Sequence, residues 1–455
     1  MINKIFNCED KNIDVVGDFI IDEYYFVEAN KISPEFPIPI MLSTNNTPEK
    51  IFPGGAGNVC RQLSSLGLDV NYFGIVDDYS LKLINNSNFC FSGASYPLVR
   101  VPVKKRYYQK DFPLCRLDVE NDNYNLFNSD LNLLQNKVCD NLINSKASLV
   151  VFSDYNKGLF LDFDIKKYFD CLDKNVIKVV DPKYGPASKW KGCTVIKPNS
   201  KEAKLLSGED DWKKQLEFFE RETQAECVLI TQEGDGVVGL VRGEFVEIRP
   251  ENKTNPSCVI GAGDCFISIF SLCLLSGFSY FDSAKFAFKA SSLYVQKKYC
   301  DPISFLDLAE SKVIDMPELL SNRNFSLAFT NGCFDILHPG HIACLEFAKS
   351  KADKLVVGLN SDLSVIRQNK NHPLVNNLEA RIKMLESLSF VDYVVVFDED
   401  DPLNIMKKIK PDVLVKSSEY KNPIGSDFVK KVEFFPVIED FSTSKIIKKI
   451  RNFKT

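Results

Sequence analysis

Residues 329–341 read Phe329-Thr330-Asn331-Gly332-Cys333-Phe334-Asp335-Ile336-Leu337-His338-Pro339-Gly340-His341, and the second half of the chain is organised around them. Two of the chain's three histidines lie here, three residues apart. Apolar residues over 325–329 predict a strand before this stretch, and apolar residues at helical spacing over 342–350 predict a helix after it. The histidines therefore lie at a strand-to-helix turn, with Pro339 and Gly340 at the entrance to the helix.

The chemistry of this turn indicates an anion-binding site. Backbone N–H groups at a helix N-terminus favour a negatively charged ligand. Two imidazoles that face the same anion can donate hydrogen bonds to phosphate oxygens and stabilise charge that builds in a transition state. The alternative is a pair of surface histidines in a loop. The stretch resembles the HxGH signature of the cytidylyltransferase-like nucleotidyltransferases, which favours His338 and His341 as catalytic residues.

Composition excludes several classes of protein. A chain of 455 residues predicts two or three domains, and 45% hydrophobic with 26% charged residues is typical of a soluble globular protein. The net charge of −5, without a basic tail, argues against nucleic-acid binding. The longest uncharged run, residues 265–281, is shorter than the roughly 20 apolar residues that a membrane span needs.

The cysteines and the N-terminus predict a cytoplasmic protein. The chain has 14 cysteines, but none are spaced as C-x-x-C, and residues 1–14 lack the apolar core of a signal peptide. We therefore expect reduced thiols and no structural zinc.

The first half of the chain combines glycine-rich turns with strand-end acids. An apolar strand over 13–16 ends in Gly17-Asp18, and Gly54-Gly55-Ala56-Gly57-Asn58 opens a helix that runs to Leu66. Residues 99–120 predict strands of a small sheet whose basic side chains, Lys104 and Arg106 among them, could hold a phosphate. A solvated amphipathic hairpin is an equal alternative for these residues.

From Ser148 onward strands and helices alternate, which predicts a mostly parallel sheet covered by helices on both faces. Four predicted strands end in polar residues, and such groups at one sheet edge indicate one site. The polar segments begin at Asp154, Asp181, Lys197 and Thr231.

The strongest signal of the first half is Gly261-Ala262-Gly263-Asp264, which begins an apolar helix running to Leu275. Glycines at a buried helix N-terminus form a nest for phosphate oxygens. Asp264 could accept the proton of an attacking hydroxyl, as a general base in phosphoryl transfer. The alternative is an acid that caps the helix after a flexible turn.

Residues 10–300 resemble the ribokinase family of sugar kinases, and the segments GDFIID, KISPEFPIP, GGAGN, SDYNKG, DPK, KPNSKE and GAGD resemble its heptose-phosphate kinases. The resemblance implies a three-layer α/β domain with a small β lid. It also implies two groups of binding residues beside the base Asp264. The kinase nucleotide site is Asn199, Ser200, Lys201, Glu202, Thr231, Gly234, Gly261, Ala262 and Gly263. The sugar-phosphate site is Asp18, Asp22, Gly54, Gly55, Asn58, Lys104, Arg106 and Arg116.

Residues 319–455 alternate again and predict a small doubly wound, Rossmann-like domain, so we place the domains at 1–318 and 319–455. The HxGH resemblance implies a second nucleotide site. Its residues are Thr330, Asn331, Gly332, Cys333, Phe334, Asp362, Arg367, Lys416, Ser442 and Thr443. Hydroxyl groups at Ser442 and Thr443 precede a last basic helix, which they could cap.

Both halves in this order resemble the bacterial bifunctional heptose 7-phosphate kinase/heptose 1-phosphate adenylyltransferases. The resemblance implies phosphorylation of heptose 7-phosphate at its anomeric hydroxyl, then transfer of AMP from ATP to heptose 1-phosphate, giving ADP-heptose and pyrophosphate. A separate phosphatase removes the 7-phosphate between the steps. The product serves lipopolysaccharide or a related surface glycan. ATP is the expected nucleotide at both sites, Mg²⁺ is expected on its phosphates near Glu202, and a homodimer through the lid is expected.

Two departures from the family pattern keep alternatives open. The family usually has Asp and Thr where this chain has Cys258 and Ile260, and Gly-Gly-Asp-Tyr where this chain has residues 417–420, Ser-Ser-Glu-Tyr. The first departure motivates an active nucleotidyltransferase whose N-terminal half only binds a sugar phosphate or mediates oligomerisation. The second leaves the base preference open. A non-catalytic nucleotide-binding scaffold is a third hypothesis, against which the intact HxGH and GAGD argue.

Overall fold

A computed structural model describes most of the chain and divides it into two compact units, Met1–Leu308 and Ala309–Thr455. The described residues are 5, 12–43, 47–96, 99–120, 128–161, 165–250, 259–297, 301–308, 312–314, 317–323, 325–368, 374–420, 422–436 and 446.

The strands of the first unit are, in chain order, β1 (Asn12–Gly17), β2 (Phe19–Phe26), β3 (Glu28–Ile32), β4 (Pro39–Leu42), β5 (Lys50–Gly55), β6 (Asp69–Phe73), β7 (Ile75–Val76), β8 (Cys90–Phe91), β9 (Ala94–Ser95), β10 (Val103–Gln109), β11 (Phe112–Val119), β12 (Leu149–Ser153), β13 (Ile177–Asp181), β14 (Val195–Ile196), β15 (Cys227–Thr231), β16 (Val237–Val241) and β17 (Glu244–Ile248).

Its α-helices are α1 (Ala56–Ser65), α2 (Asp78–Asn85), α3 (Asn128–Ile143), α4 (Ile165–Cys171), α5 (Ser200–Ser207), α6 (Trp212–Thr223), α7 (Ala262–Leu275) and α8 (Tyr280–Tyr294). Two short 3₁₀ helices also occur, Ala187–Trp190 and Glu233–Asp235.

Among the described residues, nine strands form one sheet in the order β17-β16-β15-β14-β13-β12-β1-β6-β8. The pairs from β15 through β1 to β8 are parallel, and β16 and β17 are antiparallel additions. All five residues of β12 are buried, as expected of a strand covered on both faces. The predicted α/β class is confirmed.

A second sheet, β11-β10-β2-β5, is the predicted small lid. It continues into the hairpin β3–β4, whose residues are mostly exposed. Strand β10 has intermediate burial and β11 is almost fully exposed. Strand β2 of this sheet is mostly buried, so the more exposed pair β10–β11 depends on packing against it for stability.

The second unit is a five-stranded parallel sheet in the order β20-β19-β18-β21-β22. Its strands are β18 (Leu327–Gly332), β19 (Lys354–Asn360), β20 (Tyr393–Phe397), β21 (Val413–Ser417) and β22 (Lys431–Phe435). Its α-helices are α9 (Pro339–Lys349), α10 (Asp362–Arg367), α11 (Leu378–Glu386) and α12 (Leu403–Ile409). Its 3₁₀ helices are Pro317–Asn322 and Ser426–Phe428.

The two units divide after Leu308, ten residues before the predicted boundary at 318/319. Val313, within that interval, forms a bridge to Val394 of β20, which places this part of the connection on the second unit. The exact domain boundary stays a prediction. The predicted last helix, with Ser442 and Thr443 before it, lies outside the described residues, as does Cys258. None of the described helices has the length and apolar character needed to cross a membrane.

Candidate active sites

The first site forms at the start of α7, where Gly261 caps the helix in the left-handed conformation with φ 75°. A Cβ atom here would lie 2.6 Å from Nδ2 of Asn58 and 2.6 Å from the hydroxyl of Tyr294. Backbone conformation and lack of space therefore both require glycine. The helix is buried from Asp264 to Leu274, whereas Gly261, Ala262 and Gly263 at its start are partly exposed, so a ligand can reach the N-terminal N–H groups.

Asp264 has both carboxylate oxygens engaged. The Nδ2 group of Asn58 donates to Oδ2 at 2.7 Å, and the hydroxyl of Tyr155 donates to Oδ1 at 2.5 Å. Burial raises the pKa of Asp264 above its ordinary value, and the two hydrogen bonds act in the opposite direction. A buried carboxylate that is more basic than usual suits a general base.

Asp18 lies behind this carboxylate and orders the loop that carries Tyr155. Its side chain has no exposed surface and accepts the N–H groups of Tyr155, Lys157 and Leu159, each at 3.0 Å. In this conformation Asp18 therefore holds the loop, and its predicted contact with a sugar stays a prediction.

The lid contributes basic side chains to the site. Arg106 donates to Oδ1 of Asp22 at 2.6 Å, and both side chains are largely buried. A Cβ atom at Gly54 would lie 2.3 Å from Oδ2 of Asp22, so the glycine allows the two strands this close approach. The Nζ atom of Lys104 lies 5.9 Å from the ring centre of Tyr155, which connects the lid to the Asp264 site.

Arg116 lies directly opposite Arg106 in the β10–β11 pairing. Two cations in this position disfavour each other unless an anion accompanies them. Arg116 is more than half exposed and pairs with Asp118 at 2.7 Å. Of the predicted sugar-phosphate residues, Asp22, Gly54, Lys104 and Arg106 are thus brought together, whereas Arg116 lies at their exposed margin.

The predicted kinase nucleotide residues gather at the ends of β14 and β15. Asn199 and Glu202 form a capping box at the start of α5, and Asn199 also bridges to Thr231. Ser200 begins that helix, while Lys201 is exposed and pairs with Glu233 beside Gly234.

Two lysine–carboxylate pairs lie at the same sheet edge, and Glu202 is the one member of them that was among the predicted site residues. Lys197 pairs with Asp181 at 2.9 Å, and Lys183 pairs with Glu202 at 2.8 Å. Burial, opposed by Lys197, raises the pKa of Asp181 to about 6. The Nζ atom of Lys197 lies 3.8 Å from the position of a Cβ atom at Gly263, which places a cation beside the start of α7.

Tyr155, Asp181 and Lys197 are therefore the residues of the first site that sequence reasoning missed. All three stand at the polar strand ends that predicted one site, so the signal was the strand-end position. The sequence pattern locates the strand ends, but it does not indicate which side chain at each strand end faces Asp264.

The second site forms around His338, which is the N-cap of α9. Its Nδ1 accepts the N–H of His341 at 3.3 Å, and the two rings stack with centroids 3.8 Å apart. Burial lowers the pKa of His338, which favours a neutral ring. Because Nδ1 accepts, we assign the ring hydrogen to Nε2, where it can be donated to a phosphate oxygen.

Neighbouring strand ends bring more of the predicted nucleotide residues to this turn. Lys416, at the end of β21, donates to Oδ1 of Asn331 at 2.5 Å, and burial lowers the pKa of Lys416 to about 8. Phe334 has a positive φ of 46°, and its ring centre lies 5.1 Å from that of His341. Thr330 is buried in β18, and Gly332 lies against the Phe334 ring.

Arg381 is the residue of the second site that sequence reasoning missed. It has no exposed surface, and it donates to the carbonyls of Cys333 at 2.8 Å and Asn360 at 2.7 Å and to Oδ1 of Asp362 at 2.7 Å. One guanidinium thus joins the histidine turn, the end of β19 and the start of α10. Its position on an ordinary amphipathic helix carries no motif that would have indicated this role.

Arg367 lies apart from this group, because it is half-exposed and pairs with Asp400 at 3.0 Å and with Asp398. Its predicted nucleotide contact, like the other residue roles at this site, stays a prediction.

Comparison with known proteins finds a matching family for each of the two units. Residues 10–305 match the pfkB family of carbohydrate kinases, and residues 329–451 match the cytidylyltransferase-like family. The chain is 34% identical over 464 residues to the Bifunctional protein HldE of Campylobacter jejuni, covering 97% of both chains. It is also 34% identical over 469 residues to the Bifunctional protein HldE of Helicobacter pylori, covering 97% of this chain and 99% of that one.

Among solved structures, the fold resembles that of Escherichia coli phosphofructokinase-2 in complex with potassium, with a TM-score of 0.55 and 18% identity. The likeness covers 66% of this chain and 97% of that one, and it concerns the fold alone.

We expect Gly261→Ala to reduce phosphoryl transfer by the first unit about tenfold or more, because the new methyl group displaces the Asn58 amide from Asp264. The matched control is Gly208→Ala, since Gly208 also has a positive φ of 71° but has open space where a Cβ atom would lie. ADP formation and the melting temperature of both variants provide the check. Equal losses of activity in the two variants would contradict the assignment.

We expect Arg381→Met to lower pyrophosphate formation by the second unit roughly 10²-fold, because it leaves the Asp362 carboxylate without its buried partner. Lys383→Met, on the exposed face of the same helix, is the matched control and keeps the parent rate. The melting temperature of the second unit in both variants, compared with the parent, reports whether that unit is folded. Parent-like pyrophosphate formation by Arg381→Met would refute a positioning role.

Proposed function

The chain belongs to the family of bifunctional HldE proteins, and we propose that it catalyses two ATP-dependent steps in the synthesis of a nucleotide-activated heptose. It is a carbohydrate kinase in its first unit and a nucleotidyltransferase in its second. The observation that carries the kinase proposal is the position of Asp264, at a glycine-capped helix start between the lid cations and the lysines at the ends of β13 and β14.

In the first step, Asp264 accepts the proton of the anomeric hydroxyl of heptose 7-phosphate while that oxygen attacks the γ-phosphorus of ATP, and ADP leaves. Lys104 and Arg106 hold the 7-phosphate from the lid side. The N–H groups at the start of α7 and the ammonium of Lys197 stabilise the transferring phosphoryl group.

In the second step, a phosphate oxygen of heptose 1-phosphate attacks the α-phosphorus of ATP, and pyrophosphate leaves. His338, His341 and the start of α9 donate to the phosphate oxygens as charge builds on them, and Lys416 adds a cation. No covalent intermediate on the protein is needed. Because the second substrate lacks the 7-phosphate, a phosphatase acts between the two steps.

The alternative, an N-terminal half that only binds, gains no support from the described residues. Asp264, its two hydrogen-bond donors and the Gly261 cap are all in place. Ile260, one of the two departures from the family pattern, precedes the cap and donates no side-chain group to Asp264.

Magnesium ions fit the first site as companions of the ATP phosphates. Glu202 is buried, and its oxygens accept from the Asn199 N–H and from Lys183, which leaves each oxygen a second lone pair for a hard cation. A bound Mg²⁺ would neutralise phosphate charge. Glu202 is the residue that we expect to hold it, and we place both reactions in the cytoplasm, where ATP is present.

The lid is the surface that we propose for a homodimer. Its hairpin and edge strand expose large apolar side chains, and contiguous exposure of this kind indicates an interface. These residues are Ile32, Phe36, Ile38, Leu42, Phe112 and Leu117. In sedimentation, we expect Ile32→Asp combined with Phe112→Asp to convert a dimer to a monomer, whereas Leu133→Asp, at an exposed leucine of α3, leaves the dimer intact. A parent chain that sediments as a monomer would contradict the proposal.

The two chemistries should be separable by mutation, because each site lies in its own unit. Asp264→Asn keeps the turn but removes the base, so heptose-dependent ADP formation should fall by roughly 10²-fold or more. His341→Ala removes a donor to the developing phosphate charge, and pyrophosphate formation should fall by about 10²-fold.

Each variant serves as the control for the other, since each should keep the activity of the untouched unit. The double mutant should show both losses and no further one. If Asp264→Asn leaves ADP formation unchanged, the first unit is not the kinase proposed. If either single mutant loses both activities in a folded chain, the sites are not independent.

A further inference from the structure

Both oxygens of the base proposed for the kinase already accept a hydrogen bond in this conformation. Asn58 donates to Oδ2 and the Tyr155 hydroxyl donates to Oδ1, at 2.7 and 2.5 Å. A general base must come within hydrogen-bond distance of the proton that it removes. A sugar hydroxyl that approaches either oxygen therefore competes with the donor already there.

Tyr155 is the donor that can leave. Asn58 is buried within helix α1, 5% exposed, whereas Tyr155 is half-buried and lies in a loop between β12 and α4. The backbone N–H of Tyr155 is fixed by Asp18 at 3.0 Å, so the loop need not move. The movement that frees Oδ1 is therefore one of the tyrosine side chain and not of the backbone.

The ring of Tyr155 lies between the two substrate sides of the site. Lys104 from the lid has its Nζ atom 5.9 Å from the ring centre, and Lys183, beside Glu202, has its Nζ atom 5.2 Å from it. Contacts of this length are attractive cation–π interactions. A phosphate that arrives on either side attracts the nearer lysine and weakens its hold on the ring.

We propose that Tyr155 is a displaceable cap on Asp264, which blocks the base until the acceptor sugar hydroxyl takes its place on Oδ1. This inference rests on the proposed kinase function. The tyrosine keeps its own proton throughout. The sugar hydroxyl gives its proton to Oδ1, its oxygen forms the new bond to phosphorus, and ADP leaves with the electrons of the broken bond. While the cap is on, a water molecule meets the same competition for Oδ1, so we expect little hydrolysis of ATP without sugar.

The decisive variant is Tyr155→Phe, which keeps the ring and its two lysine contacts and removes only the hydroxyl. We expect ADP formation without sugar to rise by roughly tenfold and the KM for the sugar to fall by roughly threefold to tenfold, the equivalent of one hydrogen bond. The kcat should stay within about twofold, because the cap is absent in the substrate complex.

Tyr280→Phe is the matched control, since that hydroxyl also donates to a carboxylate, Glu226 at 3.3 Å, away from the site. It should change none of these quantities. The melting temperature of the first unit, compared with the parent, shows whether both variants are folded.

The pH dependence of kcat and of kcat/KM distinguishes a cap from a purely structural role of Tyr155, because a structural role would leave both profiles unchanged. Burial raises the pKa of Asp264, and the Tyr155 hydrogen bond lowers it, so the loss of the hydroxyl raises it further. Since the base must be deprotonated, the acidic limb of kcat/KM should shift to higher pH in Tyr155→Phe, whereas the acidic limb of kcat should not shift. The other charged groups that face Asp264 are the same in both proteins: Lys197, Lys183, Asp22 and Asp181.

Two results would contradict the proposal that Tyr155 is a displaceable cap on Asp264. If kcat falls while the sugar KM and the sugar-independent rate stay unchanged, Tyr155 remains on Asp264 through the reaction. If no quantity changes, the hydrogen bond has no role in turnover. In both cases Asp264→Asn still abolishes sugar-dependent ADP formation, whereas failure of the kinase proposal itself would leave that variant active.

Discussion

A parallel strand that is buried on both faces can present polar groups only at its ends, and both units are built on this constraint. In the first unit, β1, β12, β13, β14 and β15 are neighbours in one sheet, so Asp18, Tyr155, Asp181, Lys197 and Thr231 meet at one edge. In the second unit, β18 and β21 bring Asn331 and Lys416 into contact. A helix N-terminus completes each site, at α7 and at α9.

The two sites differ in how their buried charged groups are stabilised. The first contains carboxylates that are each matched to a donor: Asp264 to Asn58 and Tyr155, Asp181 to Lys197, Glu202 to Lys183. In the second, burial lowers the pKa of His338, which favours a neutral imidazole, and lowers the pKa of Lys416 to about 8, so that its proton is held less tightly. Incoming phosphates raise the pKa of Lys416 again, since a nearby negative charge favours a cation.

Much of this arrangement could be predicted from the sequence, because the motifs are local. Glycines at 261 and 263 followed by an acid, and two histidines across Pro339-Gly340, define a helix start and its chemistry within a few residues. Arg381 and Tyr155 were missed for the opposite reason. Their partners lie 48 and 109 residues away along the chain, and no spacing rule connects them.

The sequence by itself determined the two α/β units and the helix starts that carry Asp264, His338 and His341, since periodicity and glycine turns are short-range properties. Its motifs also carried the resemblance that implied the family and the lid. Only the tertiary structure decided which strand-end side chains face those helix starts. It assigned Asp18 to the Tyr155 loop, placed Arg381 under the histidine turn and set the Tyr155 hydroxyl on Asp264. The physical reason is that a buried polar group must find a partner, and the fold alone determines which one lies within reach.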